Sequence, residues 1–168
     1  VYKRQVLLCD EPCILENVPE ISDVSISLRI LYEMGAQVDY INRTTVRIST
    51  VGLKNFCVPY ESARRMRASY YFLGALLGKF GKARVSMPGG CPLGDRPIDQ
   101  HLKAFSALGA KCDIQHGMVD LTADKLTGNQ IYLDVVSVGA TMNAMLAAVR
   151  AEGLTVIENA AKEPHIVD

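Results

Sequence analysis

Gln100–Ala123 reads QHLKAFSALGAKCDIQHGMVDLTA. Ile98, Leu102, Phe105 and Leu108 recur at helical spacing, which predicts a helix over Ile98–Leu108. Gly109 stands where a helix C-cap glycine belongs. Two short alternating runs follow, Lys111–Gln115 and Met118–Thr122, around a glycine at 117 that suits a hairpin turn. The same order of helix, Gly-Ala and two strands occurs in ISLRILYEMGAQVDYINRTTVRIST, Ile26–Thr50, with Gly35 and Gly109 74 residues apart.

Other echoes extend the pattern. MRASYYFLGALLGKFGKARVSMPG, from Met66, resembles VGATMNAMLAAVRAEGLTVIENAA, from Val138, and aligns Gly81 with Gly153 at an offset of 72. ILENVPEISDV, from Ile14, resembles VIENAAKEPHIVD, from Val156, with Glu16 and Glu158 142 residues apart, about two periods. The unit is therefore about 70 residues: helix Ser62–Lys79, strand Ala83–Met87, a loop, helix Ile98–Leu108, strands Lys111–Gln115 and Met118–Thr122, and a strand near Gln130–Leu133. This is a β-α-β-α-β-β order in an α/β chain. The chain starts and stops inside repeats, so it is expected to be part of a longer protein. Residues 1–5, VYKRQ, have no repeat counterpart and are expected to be non-native or unstructured.

The 168 residues carry 18 basic and 18 acidic side chains, a balance that argues against a general nucleic-acid or anionic-membrane surface. Nearly half of them are apolar, enough for a sizeable core. No apolar run has the length of a membrane span, and the start has no secretory pattern. Five cysteines at irregular spacing, without a CxxC pair, are most simply free thiols of a reducing cytoplasm.

The stretch SMPGGCPLGDRPID, Ser86–Asp99, cannot be helix or central strand through its Gly/Pro-rich part. Cys91 is either an ordinary surface thiol or a reactive one. Lys82, Arg84 and Arg96 are close in sequence, and cations lower a thiol pKa. Arg96-Pro97-Ile98-Asp99 opens a helix, where amides and a guanidinium can hold an anion, with Pro97 suited to the first turn. Asp99 there also suits the helix dipole. Arg64, Arg65 and Arg67 mass near the start of a long predicted helix, opposing its dipole unless an anion lies nearby; a solvated basic patch is the alternative. Ser137, Gly139 and Thr141 at another loop-to-helix junction can cradle phosphate or simply cap the helix, and the GK[ST] ending of a Walker loop is missing. His101 and His165 read as surface or capping histidines. Tyr70-Tyr71-Phe72 read as core packing, and Cys112 as buried in a strand. No metal cluster is seen.

Together MRASYYFLGALLGKFGKARVSMPGGCPLGDRPIDQHL (Met66–Leu102), VSVGAT (Val136–Thr141) and IENAAKEPHIVD (Ile157–Asp168) resemble the UDP-N-acetylglucosamine enolpyruvyl transferases of peptidoglycan synthesis, within the EPSP synthase superfamily. The sister EPSP synthases share the repeat but lack the cysteine loop. The resemblance implies two inside-out α/β barrel domains built from six β-α-β-α-β-β repeats. Residues 6–168 would be most of one domain, incomplete at both ends, and the second domain would be missing. It implies a cytoplasmic enzyme with two small-molecule substrates, UDP-N-acetylglucosamine and phosphoenolpyruvate, and no cofactor, metal, nucleic acid or membrane. Cys91 would be the general acid that protonates the methylene carbon of phosphoenolpyruvate, and the fosfomycin target. Arg96 would bind its phosphate, and Arg67 would contact substrate. Arg96, Pro97, Ile98, Asp99 and Gln100 would grip the nucleotide sugar, with Asp99 facing uracil. Val135, Val136, Ser137 and Val138 would lie near the diphosphate. Val135 replaces a lysine of some members, and His165 stands where glutamate is common. The Lys-Asn pair near the family N-terminus, the aspartate base and a closing arginine have no counterpart in the chain.

Overall fold

The computed structural model describes residues 5–87 and 97–167, and everything about Arg67 but its side chain. After a 3-10 turn at Val6–Leu8 come strand β1 (Cys13–Leu15), helix α1 (Ser22–Glu33) and strands β2 (Gln37–Asn42) and β3 (Thr45–Ser49). Next are α2 (Tyr60–Arg64), a 3-10 turn (Arg67–Tyr70), α3 (Tyr71–Phe80), β4 (Lys82–Ser86) and α4 (Asp99–Ala107). The order ends with β5 (Lys111–Gln115), β6 (Met118–Thr122), β7 (Gln130–Tyr132), α5 (Val138–Ala148), β8 (Val156–Glu158) and α6 (Pro164–Val167).

Helices α3 and α5 lie inside, while α1 and α4 each expose one face to solvent. In α3 every residue from Phe72 to Leu77 is buried, and α5 is buried on nearly all sides, the mark of helices enclosed by other elements. Strands turn one face to these helices and the other to solvent: Val46 and Ile48 are buried beside exposed Arg47, and Ala83 and Val85 beside exposed Lys82 and Arg84. Two three-stranded sheets have the same layout, β1-β3-β2 and β4-β6-β5, all antiparallel. The remaining pair, β7 and β8, is parallel.

The repeat seen in the sequence is present in the backbone. Gly35 and Gly109 follow their helices with φ of 105° and 94°. Asn17 and Asn159, one place after the aligned glutamates, both take a left-handed φ, 53° and 55°. The parallel pairing of β7 with β8 has its counterpart in a bridge between Cys57 and Arg84, where the Val58 amide donates to the Arg84 carbonyl at 2.9 Å.

One expected element is different. The helix predicted over Ser62–Lys79 is three pieces, because Met66 takes an extended backbone (φ −131°, ψ 111°) and sends its side chain into the core. Burial of Met66 outweighs helix continuity. Arg64 and Arg65 consequently sit at the C-terminal end of α2, where cations complement the helix dipole, rather than at the start of a long helix. The anion argued from their crowding is therefore not required. Pro97 lies before the helix rather than in its first turn, since Ile98 is the cap residue of α4 and Asp99 its first residue.

Candidate functional site

The stretch that carries Cys91 and Arg96 lies outside the described residues, and so does the Arg67 side chain. The ends of that stretch are described. β4 ends at Ser86, whose hydroxyl is buried with no hydrogen-bond partner among the described residues, as is that of Ser69 in the Arg67–Tyr70 turn. On the far side Ile98 is buried and anchors the start of α4.

The first turn of α4 is joined to the loop before α5 by Gln100. Its side-chain carbonyl accepts from the Asp134 amide at 2.9 Å, and its NH2 donates to the carboxylates of Asp134 and Asp99, each at 3.0 Å. The Gln100 amide beside Asp99 holds that carboxyl below its ordinary pKa. Asp134 is likewise lowered, by Lys103 at 2.6 Å and then by Gln100. Both carboxylates stay ionised, and Asp99 is exposed. Gln100 itself is buried. What it offers a ligand is a fixed loop rather than a free amide.

That loop presents Val135 and Val136 to solvent, 59% and 61% exposed, before turning into α5. Ser137 caps the helix: its hydroxyl accepts from the Ala140 amide at 3.2 Å. Thr141 donates to the Ser137 carbonyl at 2.8 Å and accepts from the Ala161 amide at 3.1 Å. These hydroxyls serve the cap and the turn at Ala161. Pro97, Asp99, Val135 and Val136 are exposed, Ile98 and Gln100 buried, and Ser137 and Val138 half-buried.

Beneath this surface is a buried polar group that the sequence reading did not find. Asn143 of α5 is wholly buried. Its Oδ1 accepts from the Gly74 amide at 2.9 Å, and its Nδ2 donates to the Tyr70 carbonyl at 3.2 Å. Those two groups are the pair that the first i→i+4 bond of α3 joins, so the side chain bridges the point where the 3-10 turn becomes α3. The amide orientation is thereby set, and Nδ2 also donates to Nδ1 of His101 at 2.9 Å. His101 is buried, not a surface or capping residue. Burial lowers its pKa to about 4, against a partly opposing pull from Asp99. The imidazole is neutral at pH 7 and carries its proton on Nε2. Tyr70 packs edge-on against the ring at 5.0 Å. The signal for this group was present, an asparagine inside the apolar run of α5, but nothing in the spacing told which backbone it would reach.

Cys112 is half-buried, and burial raises its thiol pKa. His165 is exposed. No group of three or more His, Cys, Asp or Glu among the described residues could hold a metal ion. No helix among them is long and apolar enough to cross a membrane.

A profile of the family described as EPSP synthase (3-phosphoshikimate 1-carboxyvinyltransferase) matches residues 6–168. UDP-N-acetylglucosamine 1-carboxyvinyltransferase 3 of Caldanaerobacter subterraneus subsp. tengcongensis is 53% identical over 96% of the chain and 39% of its own length. UDP-N-acetylglucosamine 1-carboxyvinyltransferase 2 of Clostridium acetobutylicum is 56% identical over 92% of the chain and 37% of its own length. The chain thus spans under two-fifths of these curated relatives. Among solved structures, the enolpyruvyl transferase NikO from Streptomyces tendae superposes with a TM-score of 0.84 at 24% identity, over 99% of the chain and 39% of its own. EPSP synthase from Acinetobacter baumannii gives 0.75 at 20% identity, over 98% of the chain and 40% of its own. At these identities the two structures bear on the fold alone.

Proposed function

This chain belongs to the EPSP synthase family, and we propose that the protein it forms part of transfers the enolpyruvyl group of phosphoenolpyruvate to the 3-hydroxyl of UDP-N-acetylglucosamine, releasing phosphate, in peptidoglycan synthesis. The observation that carries this reading is the 53–56% identity, over more than nine-tenths of the chain, to proteins of that name. The geometry supports it. The first turns of α4 and α5 are tied together through Gln100 and Asp134, and the positive end of the α5 dipole suits a diphosphate. Exposed Val135 and Val136 give an apolar wall, and ionised Asp99 gives an acceptor for a base edge.

The chemistry needs an acid at C3 of phosphoenolpyruvate, cations on its phosphate and carboxylate, and exclusion of water. Cys91 supplies the proton to C3 while the sugar oxygen bonds to C2. The sugar proton leaves to a base, and the tetrahedral adduct then expels phosphate as a C3 proton is lost. Arg96 neutralises the phosphate, and Arg67 holds substrate. The connection between β4 and α4 brings Cys91 to the donor. Pro97, Ile98, Asp99 and Gln100 fix the nucleotide sugar with Val135, Val136, Ser137 and Val138. The sugar base and the second domain belong to the rest of the protein.

The test uses the intact protein. It is incubated with phosphoenolpyruvate and either UDP-N-acetylglucosamine or shikimate 3-phosphate, and phosphate release and product mass are followed. The expected result is turnover with the nucleotide sugar, lowered about 10²–10⁴-fold in Cys91→Ser. Turnover with shikimate 3-phosphate alone, or an undiminished Cys91→Ser, overturns the reading.

A further inference from the structure

Three segments assigned above to substrate converge on one buried side chain. Tyr70 lies three residues after Arg67, His101 two after Asp99, and Asn143 five after Val138. Asn143 touches the other two: its amide spans the Tyr70 carbonyl and the Gly74 amide, and it meets Nδ1 of His101 at 2.9 Å. The fit is tight on every side. A Cβ on Gly74 would stand 2.5 Å from the Asn143 carbonyl, and one on Gly139 would stand 2.9 Å from the Tyr70 hydroxyl and 3.0 Å from Cε1 of His101.

A helix start needs no such bridge to be stable, since the backbone bond from Gly74 to Tyr70 satisfies both groups by itself. A buried primary amide is costly unless each of its polar atoms is paired. Here Oδ1 accepts one bond and Nδ2 makes two, so a small displacement of any of the three segments breaks a bond that nothing else replaces. Such a fully paired group allows one relative placement of its neighbours and penalises the rest.

We propose that Asn143 and His101 are positioning residues: they hold the Arg67 turn, the Asp99 end of α4 and the Val138 end of α5 in the single arrangement that receives the nucleotide sugar. Neither touches substrate. The inference rests on the functional reading above, and wild-type turnover with UDP-N-acetylglucosamine checks that reading separately.

The experiment uses intact protein carrying Asn143→Leu, His101→Leu or His101→Asn, each assayed below its own thermal midpoint. An asparagine at 101 can set its carbonyl where Nδ1 lies, whereas leucine cannot. Asn143→Leu and His101→Leu are expected to raise KM for UDP-N-acetylglucosamine and to lower kcat/KM about 10- to 100-fold. His101→Asn is expected to recover most of that loss. If Asn143→Leu does not fold, the two His101 variants decide alone. Kinetic constants that stay at wild-type values in folded His101→Leu, or a His101→Asn as impaired as His101→Leu, overturn the proposal. A wild-type protein that transfers nothing to UDP-N-acetylglucosamine overturns the functional reading, and this one with it.

Discussion

The two repeats build the same elements into sheets of the same layout and join them differently. In the first, β1 ends at Leu15 and α1 begins at Ser22, a connection of six residues (16–21). It is pinned by Asn17 in a left-handed conformation and by the Val18 amide donating to the Thr44 carbonyl at 2.8 Å. In the second, β4 ends at Ser86 and α4 begins at Asp99, twelve residues (87–98) that include the Gly-Gly-Cys stretch. The hairpins differ as well. β5 and β6 turn through His116 and Gly117, both with positive φ, the two-residue turn whose twist matches that of the strands. β2 and β3 turn through Arg43 and Thr44, neither with positive φ, and the pairing carries an irregularity between Tyr40 and Asn42. Inside, position 27 of α1 is a buried serine bonded to Met66, and its counterpart on α4 is His101 bonded to Asn143. The scaffold is common to both repeats. The longer connection and the buried histidine–asparagine pair belong to the second.

The comparison is broken most severely where the two repeats meet. Gly74→Ala drives a methyl group into the Asn143 backbone, 2.5 Å away. A stability loss of about 3 kcal/mol is expected in urea unfolding of the intact protein. Gly117→Ala meets open space and is strained only by its φ of 73°, so about 1 kcal/mol is expected. Equal losses at the two sites would mean that α3 and α5 can separate to admit the methyl.

The buried histidine gives the second repeat an acid sensitivity absent from the first. The pKa of His101 is near 4 in the folded protein and about 6.5 when exposed, so between these values the unfolded chain binds more protons. Its contribution is complete above pH 6.5 and is lost as pH falls toward 4, by about 3 kcal/mol across the window. His101→Asn should flatten unfolding curves between pH 6.5 and 4. The lowered carboxylates, Asp99 and Asp134 among them, should continue to weaken the fold as pH falls below about 4. A His101→Asn protein with the wild-type slope in the upper window would show that the ring is protonated when folded.

The smallest effects are where α4 meets the loop before α5. Gln100→Ile installs the residue of the matching first-repeat position, Ile26, and leaves the Asp134 amide without its side-chain acceptor. A loss of about 1–2 kcal/mol is expected, with a higher KM for the nucleotide sugar. Lys103→Met removes an exposed pairing with Asp134 and a cation–π contact with the Tyr132 ring at 5.8 Å. It should shift the thermal midpoint less than Gln100→Ile, and added salt should erase the difference. A larger effect from Lys103→Met would make the ion pair, rather than the glutamine, the fastener of the loop.

Much of this arrangement was legible from the sequence. Helix period, a glycine after each helix, alternating runs and the spacing of about 70 residues are local properties. They located β5 and β6 to the residue, α4 within one, and the repeat itself. Asp99 and Ser137 were placed at helix starts for the same reason. The helix drawn over Ser62–Lys79 failed because apolar spacing cannot distinguish one long helix from two short ones sharing a core. Only the packed interior decides that Met66 is worth more buried than helical. Gln100, His101 and Asn143 have meaning only through partners 34, 42 and 73 residues distant in the chain. Sequence by itself determined the elements, their repetition and the residues able to do chemistry, because backbone sterics and hydrophobic period act over a few residues. Tertiary structure alone decided which buried polar atoms pair and which loops they fasten, because a hydrogen bond depends on where two groups meet in space.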